Sequence, residues 1–135
     1  VTFEQACMSK LPFIPNSFDC VTISFGIRNA TDVPQSLREI YRVLKPQGRV
    51  LILEFSLPQN RHLRAAHLFY LRRVVPKLGG WLSKNPTAYT YLQTTIETFP
   101  YGAQFCQIVR EAGFDRVQAY PLTGGIVTLY YGEKL

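Results

Sequence analysis

The polar side chains best placed for chemistry are Arg28 and Asn29, which follow the apolar run Val21 to Phe25 immediately after it stops at Gly26. That run has the length and β-branched content of a buried parallel strand. In an open α/β sheet, ligands bind in the crevice beyond the carboxyl ends of the strands. A buried strand that ends in glycine and then Arg-Asn therefore reads as the floor of a site. The alternative is a strand-to-helix turn whose Arg and Asn only cap and solvate. Several other chemistries lack their residues. The chain has no GxSxG, HExxH or P-loop GxxxxGK motif, so the usual serine hydrolase, zinc protease and P-loop readings are unsupported. No GxGxxG opens a helix, so the usual glycine cradle for a nucleotide-like cofactor is missing. His62 and His67 lie five apart on a predicted helix, a poor spacing for a shared metal, and read as surface or cap residues. Cys7, Cys20 and Cys106 are odd in number and widely spaced without a CxxC. They read as reduced, mostly buried thiols rather than a disulfide framework or a zinc site.

The elements that must position Arg28 and Asn29 follow from periodicity and punctuation. Val1 to Phe3 is a predicted strand end, and Pro12, Pro15 and Asn16 make Leu11 to Ser17 a loop. After Asn29, Thr31 or Asp32 can cap a helix with Pro34 in its first turn. Leu37, Ile40, Tyr41 and Leu44 repeat at i, i+3, i+4, i+7, and Pro46 and Gly48 are predicted to end that helix. Arg49 to Phe55 is a second apolar strand. Strand, helix and strand form a parallel βαβ unit, whose rim gathers Ser24, Arg28, Asn29, Glu54 and Ser56.

From Leu57 to Phe99 the texture changes. Leu63, Ala66, Phe69, Tyr70 and Val74 could line one helix, broken by Pro76 and Gly79-Gly80, and Asn85-Pro86-Thr87 reads as a further helix start. This aromatic insertion is a candidate lid or substrate-binding cap, against the plainer reading that its aromatics are core. Phe105, Ile108, Val109 and Ala112 mark a later helix with Gly113 as its C-cap. Phe114 to Leu122 and Ile126 to Tyr131, joined at Thr123-Gly124-Gly125, read as an antiparallel hairpin closing the sheet edge.

The totals fit one domain, residues 1–135, with residues 57–99 as a helical insertion. Hydrophobic content of 47% and charged content of 18% exclude a disordered chain. No apolar run reaches the ~18 residues of a membrane span, and no signal peptide is visible. The first residue is Val1 rather than methionine, which points to a fragment or a processed product. The net charge of +6 favours nucleic acid, an anionic membrane surface or acidic ligands. No zinc-finger spacing, RNP-like motif or long basic run accompanies it, so nucleic acid is not expected as a partner.

LPFIPNSFDCVTISFGIRNATD, followed by LREIYRVLKPQGRVLILEFS, resembles the second half of the UbiE-type ubiquinone/menaquinone C-methyltransferases. The resemblance continues through YTYLQTTIETFP, the EAGFD turn and LTGGIVTLYYGEKL, and so covers essentially the whole chain. It implies the C-terminal portion of a Rossmann-like, class I S-adenosylmethionine-dependent methyltransferase, an α/β fold. It further implies methyl transfer to a ring carbon of a prenylated quinol. The cysteine usage reads as that of a cytoplasmic protein, and the Lys/Arg cluster between Arg61 and Lys84 is a candidate peripheral contact with anionic lipid at the inner face of the membrane. Whether the protein forms a homodimer is left open.

Carried over by position, Ser24 matches a cofactor-contacting residue. Cys7 and Met8 stand where the family usually has Asn-Ala or Asp-Ala on the adenosine side of S-adenosylmethionine. Cysteine is a weak donor and methionine a weak acceptor, so a hydrogen bond to the adenine is expected to be lost. Arg28 matches the arginine of FGIRN, which is proposed to assist deprotonation of the substrate ring. Arginine stays protonated, so orienting a water or stabilising an oxyanion is favoured over direct base action, with Asn29 in support. The family's glycine-rich turn and ribose-binding acid are expected before Val1. A non-catalytic remnant that docks to a biosynthetic complex is the rival reading.

Overall fold

A computed structural model of the chain describes residues 1–83 and 86–135. Its centre is a four-stranded mixed sheet in the order β1-β2-β4-β3. β1 (Phe18–Ser24) runs parallel to β2 (Leu44–Phe55), with Cys20 opposite Arg49 and Ser24 opposite Leu53. Between them lies α1 (Val33–Val43), so the predicted parallel βαβ unit is present. Asp32 caps α1 by accepting a hydrogen bond from the Gln35 N–H at 3.1 Å, and Leu37, Ile40 and Val43 form its buried stripe. β3 (Asp115–Leu122) and β4 (Val127–Glu133) are the predicted antiparallel hairpin, joined by a 3-10 turn at Thr123–Gly125.

One face of the sheet packs on α1 and on α5 (Ala103–Glu111), around Ile27, Leu37, Ile40, Ile52, Phe105 and Tyr130. The tilt of Phe105 against Tyr130, with ring centroids 4.5 Å apart, suits an aromatic pair. Between β2 and α5 lies a helical segment: α2 (Arg61–Phe69), a π turn (Tyr70–Val74), α3 (Val75–Ser83) and α4 (Pro86–Thr98). Leu71 and Ile96 from this segment join Leu57 in a smaller cluster.

Several expectations are corrected. β1 is not a buried strand. Phe18, Asp19, Cys20, Thr22 and Ser24 are exposed, because β2 is its only strand neighbour among the described residues. The cysteines are not mostly buried either: Cys106 is, but Cys20 lies on that open strand and Cys7 on an exposed turn. Val1 to Phe3 forms no strand; the nearest pairing is an isolated bridge between Cys7 and Lys10. Helix α1 ends at Val43, and Leu44 with Pro46 and Gly48 already belongs to β2. The parallel register jumps between Phe18 and Cys20, so the extra β2 residues are accommodated as a bulge.

Pro76 and the two glycines do not break the helix after Val74. The π turn just before Pro76 changes the hydrogen-bond pattern where proline removes a donor and crowds the preceding turn. Leu63, Phe69 and Tyr70 are exposed instead of lining a packed face. The capping residue of α5 is Ala112. Gly113 follows it at φ 115, in the left-handed region that glycine supports at the residue after a helix. Helix α4 begins at Pro86, and the expected cap Asn85 lies outside the described residues.

Candidate functional site

The chain turns sharply at the carboxyl end of β1. Phe25 has φ 57, an uncommon backbone for a bulky residue and of a kind that collects at functional sites. Its N–H still donates to the Leu53 carbonyl at 2.7 Å, so the turn is tied to β2. Gly26 then leads into a 3-10 turn, Ile27–Asn29, anchored by the fully buried Ile27. This turn sets Arg28 and Asn29 at the rim.

Arg28 is nine-tenths buried. Its Nη1 donates to the Phe25 carbonyl at 2.6 Å and to Glu54 Oε1 at 2.8 Å. Glu54, completely buried at the end of β2, also accepts from the Arg28 backbone N–H through Oε2 at 3.3 Å and from the Phe55 N–H through Oε1 at 2.9 Å. The guanidinium carbon lies 5.1 Å from the Phe55 ring centroid, within cation-π range, and Phe55 packs on Phe25 at 4.6 Å. Arg28 is thus held by a carboxylate, a carbonyl and an aromatic face. Asn29 Oδ1 accepts from the Tyr91 hydroxyl of α4 at 3.0 Å, which ties the helical segment to the rim.

The structure brings together three of the rim residues expected from pattern: Arg28, Asn29 and Glu54. Ser56 belongs elsewhere, since its hydroxyl donates to the Gly125 carbonyl at 2.6 Å and meets the Thr128 hydroxyl at 2.7 Å. Those contacts fasten β2 to the hairpin turn. Ser24 lies exposed at the end of β1. Cys7 and Met8 line a small cavity of about 140 Å³ with Ser9, Asn29, Thr31 and Ser36. Asn29 therefore borders both this cavity and the arginine cluster. Hydrogen bonds with the Ser9 side chain and backbone hold the exposed Cys7 thiol below its ordinary value of 9.0.

A larger cavity of about 340 Å³ opens between the N-terminus of α5 and the hairpin, lined by Leu57, Asn60, Tyr101, Gly102, Gly125 and Thr128. Beside it, burial pushes the Tyr130 hydroxyl up, although that oxygen accepts from the Gly102 N–H at 2.8 Å. Tyr91 and the role of Glu54 were missed by sequence reasoning. Asn29 and Tyr91 are 62 residues apart, and no periodicity reports a contact of that range. Glu54 was visible as a charge closing an apolar strand, and that oddity was the available signal.

A profile of the ubiE/COQ5 methyltransferase family matches residues 1–134. The chain is 45% identical over 134 residues to a protein of Klebsiella pneumoniae named ubiquinone/menaquinone biosynthesis C-methyltransferase UbiE, covering 99% of this chain and 53% of that protein. It is 46% identical over the same length to the Serratia proteamaculans protein of the same name, again covering 99% and 53%. The chain thus spans about half the length of the curated relatives it matches. Among solved structures, a Thermotoga maritima protein described as a SAM-dependent methyltransferase superposes with a TM-score of 0.62 at 18% identity, over 96% of this chain and 62% of that one. A Haemonchus contortus phosphoethanolamine N-methyltransferase, solved with S-adenosylhomocysteine, gives 0.61 at 16% identity, over 94% and 36%. The fold is the Rossmann-like class I methyltransferase type. The chain belongs to the ubiE/COQ5 methyltransferase family.

Proposed function

We propose that this chain forms the C-terminal part of an S-adenosylmethionine-dependent C-methyltransferase. Its substrate is a prenylated quinol in quinone biosynthesis, either demethylmenaquinol or the corresponding ubiquinone precursor. The observation that carries this reading is Arg28, a nine-tenths buried cation presented at the carboxyl rim of a methyltransferase-type sheet in a chain of this family. When bound, the cofactor would supply an electrophilic methyl group from its sulfonium, the sulfur keeping the electron pair of the broken carbon–sulfur bond as a neutral thioether. The residues present fit one edge of it. The cavity at Cys7 and Met8 measures about 140 Å³, below the ~300 Å³ at which cofactor and ligand pockets begin. Cys7 and Met8 would border the adenosine, Ser24 would meet the cofactor from β1, and the remaining walls come from outside this chain.

The chain's own residues serve the acceptor. A quinol ring carbon becomes nucleophilic as its phenolic oxygens push electron density into the ring. Arg28, with Nη1 committed to Glu54 and Phe25, can direct Nη2 to such an oxygen or to a water. When the new carbon–methyl bond has formed, the ring C–H bond breaks, its electron pair restores aromaticity and the proton passes to that water. Arginine's persistent positive charge lets it hold the water without itself acting as the base. Asn29, whose Oδ1 is occupied by Tyr91, has its amide N–H groups left to donate. The helical segment covers the ring and its prenyl tail, with Tyr91 as the latch.

The test is calorimetric binding of S-adenosylmethionine to this chain beside a form extended upstream in its reading frame. Binding by the extended form, with methyl transfer to a short-chain quinol that Arg28→Lys slows, supports the reading. An extended form that carries a glycine-rich turn and still binds no cofactor would overturn it in favour of a non-catalytic docking protein.

We infer that the protein is cytoplasmic and touches the inner membrane face through the π turn and α3. Leu78, Trp81 and Leu82 are exposed there, next to exposed Phe69 at the end of α2 and beside Arg73 and Lys77, and no acidic residue lies between Arg61 and Ser83. No helix among the described residues is long and apolar enough to cross a membrane. Arg72 is a poor probe of this contact, because Glu97 pairs with it at 2.6 Å. Reversing Arg73 and Lys77 to Glu is expected to weaken binding to anionic vesicles at least tenfold, given ~1 kcal/mol per basic residue near the surface. Unchanged vesicle flotation would sink the idea.

A further inference from the structure

We propose that Glu54 is a positioning residue that fixes the guanidinium of Arg28 for its work on the acceptor; the role in methyl transfer rests on the reading above. Glu54 follows Val50 and Ile52 on the side of β2 that faces the core, and all three are buried. By pattern, that position calls for another aliphatic side chain. A carboxylate taken out of water there is costly unless it is paired and fully hydrogen-bonded. Among the described residues its bonds go to the Arg28 backbone and Nη1 across the rim and to the neighbouring Phe55 backbone on β2. One carboxylate thereby fixes where the 3-10 turn starts and which way the guanidinium faces.

A buried ion pair of this kind adds little stability over apolar residues of the same volume. What it adds is direction. The Phe25 carbonyl and Glu54 share Nη1, and the Phe55 ring lies against the guanidinium carbon. Nε is covered and has no hydrogen-bond partner among the described residues. The arrangement holds the guanidinium plane by one edge and leaves Nη2 as the terminus able to reach a substrate oxygen or a water. Glu54 needs no contact with substrate for this. It acts through Arg28.

The experiment uses the upstream-extended protein and compares Glu54→Gln, Arg28→Lys and the double variant. Glu54→Gln is expected to bind S-adenosylmethionine normally while kcat falls about 10²-fold, the loss that follows a misplacement of roughly 1 Å. The double variant should be no slower than Arg28→Lys, because the two residues act as one unit. Nitrogen-15 spectra of Arg28 supply a readout independent of turnover. Separate, slowly exchanging Nη signals are expected in the parent and a single averaged signal in Glu54→Gln. If Glu54→Gln does not fold, Arg28→Met with Glu54→Met removes both charges. That pair should fold at least as well as the parent, whereas a purely structural ion pair predicts a loss. An active parent whose Glu54→Gln variant keeps full kcat and separate Nη signals overturns the proposal while the methyltransferase reading stands. A parent inactive on every quinol removes that reading, and the Nη signals then decide the positioning claim alone.

Discussion

The sheet with α1 and α5 and the helical segment 61–98 use similar proportions of apolar residues to different ends. In the first, Leu37, Ile52 and Phe105 are completely buried, and Ile40, Val50, Val109 and Tyr130 are nearly so. In the second, α2 buries no residue, and Phe69, Trp81 and Leu82 are each more than three-fifths exposed. Burial of a large apolar side chain contributes about 1.5–3 kcal/mol, so the first region has a stable core of its own and the second has little. The helical segment is held by local helix bonds, the small Leu57–Leu71–Ile96 cluster, the Arg72–Glu97 pair and the Tyr91–Asn29 bond. A weakly buried element over a rigid scaffold suits a surface that opens and closes on a ligand or meets a membrane. The two regions meet at Asn29, on the scaffold side of the candidate site, and at Phe55 and Leu57, at and just after the end of β2.

The contrast can be broken most forcefully in the core. Phe105→Ala removes a fully buried ring that touches Phe99 and Tyr130, and thermal unfolding should show a loss of about 3–5 kcal/mol. A loss under 1 kcal/mol would mean that the core is not the main source of stability. Gly79→Ala tests the other region: a Cβ there would collide with the Tyr89 ring, where α3 packs on α4. Overpacking costs about 1–3 kcal/mol. Amide exchange should therefore quicken in α3 and α4 while the sheet amides keep their rates, and uniform acceleration would show that the regions unfold together.

Trp81→Ser should change stability by no more than about 0.5 kcal/mol, because the side chain is 78% exposed, yet reduce binding to anionic vesicles. The smallest effect is electrostatic. Glu39, hydrogen-bonded by Arg42 at 2.7 Å, has its carboxyl held below its ordinary value of 4.5 by that bond. A depressed acid stabilises the fold above its unfolded value, and this contribution disappears as pH falls from about 4.5 through the folded value. Glu39→Gln should flatten that part of the stability profile. A profile unchanged between parent and variant would show that the pair contributes nothing measurable.

Much of the scaffold was legible because its signals are local. The spacing of Leu37 and Ile40 in α1, the Asp32 cap and the hairpin turn at Thr123–Gly125 each reflect interactions within a few residues and stand in the structure, whereas Leu44, the last position of the α1 repeat, passed into β2. The helical segment was harder to read. Proline and glycine are strong local breakers, yet a π turn carries the helix past Pro76, and periodicity does not show such a turn. The burial of β1 was misjudged for a different reason. An apolar strand is buried only if other elements cover both of its faces, and the run Val21 to Phe25 carries no record of whether they do.

By itself, the sequence determined the order of helices and strands across the sheet region, that two of the strands run parallel, and that a cation and an amide follow the first of them. Those outcomes depend on backbone sterics, side-chain period and caps, which act over one or two turns of chain. Only the tertiary structure decided that Glu54 turns inward onto Arg28, that Tyr91 reaches Asn29, and that Ser56 belongs to the hairpin and not to the site. Each of these joins residues 26 to 69 positions apart, and the low-dielectric interior makes the choice of partner decisive. A buried charge without its counter-ion costs stability, and which residue supplies that counter-ion depends on how the strands and turns come together in space.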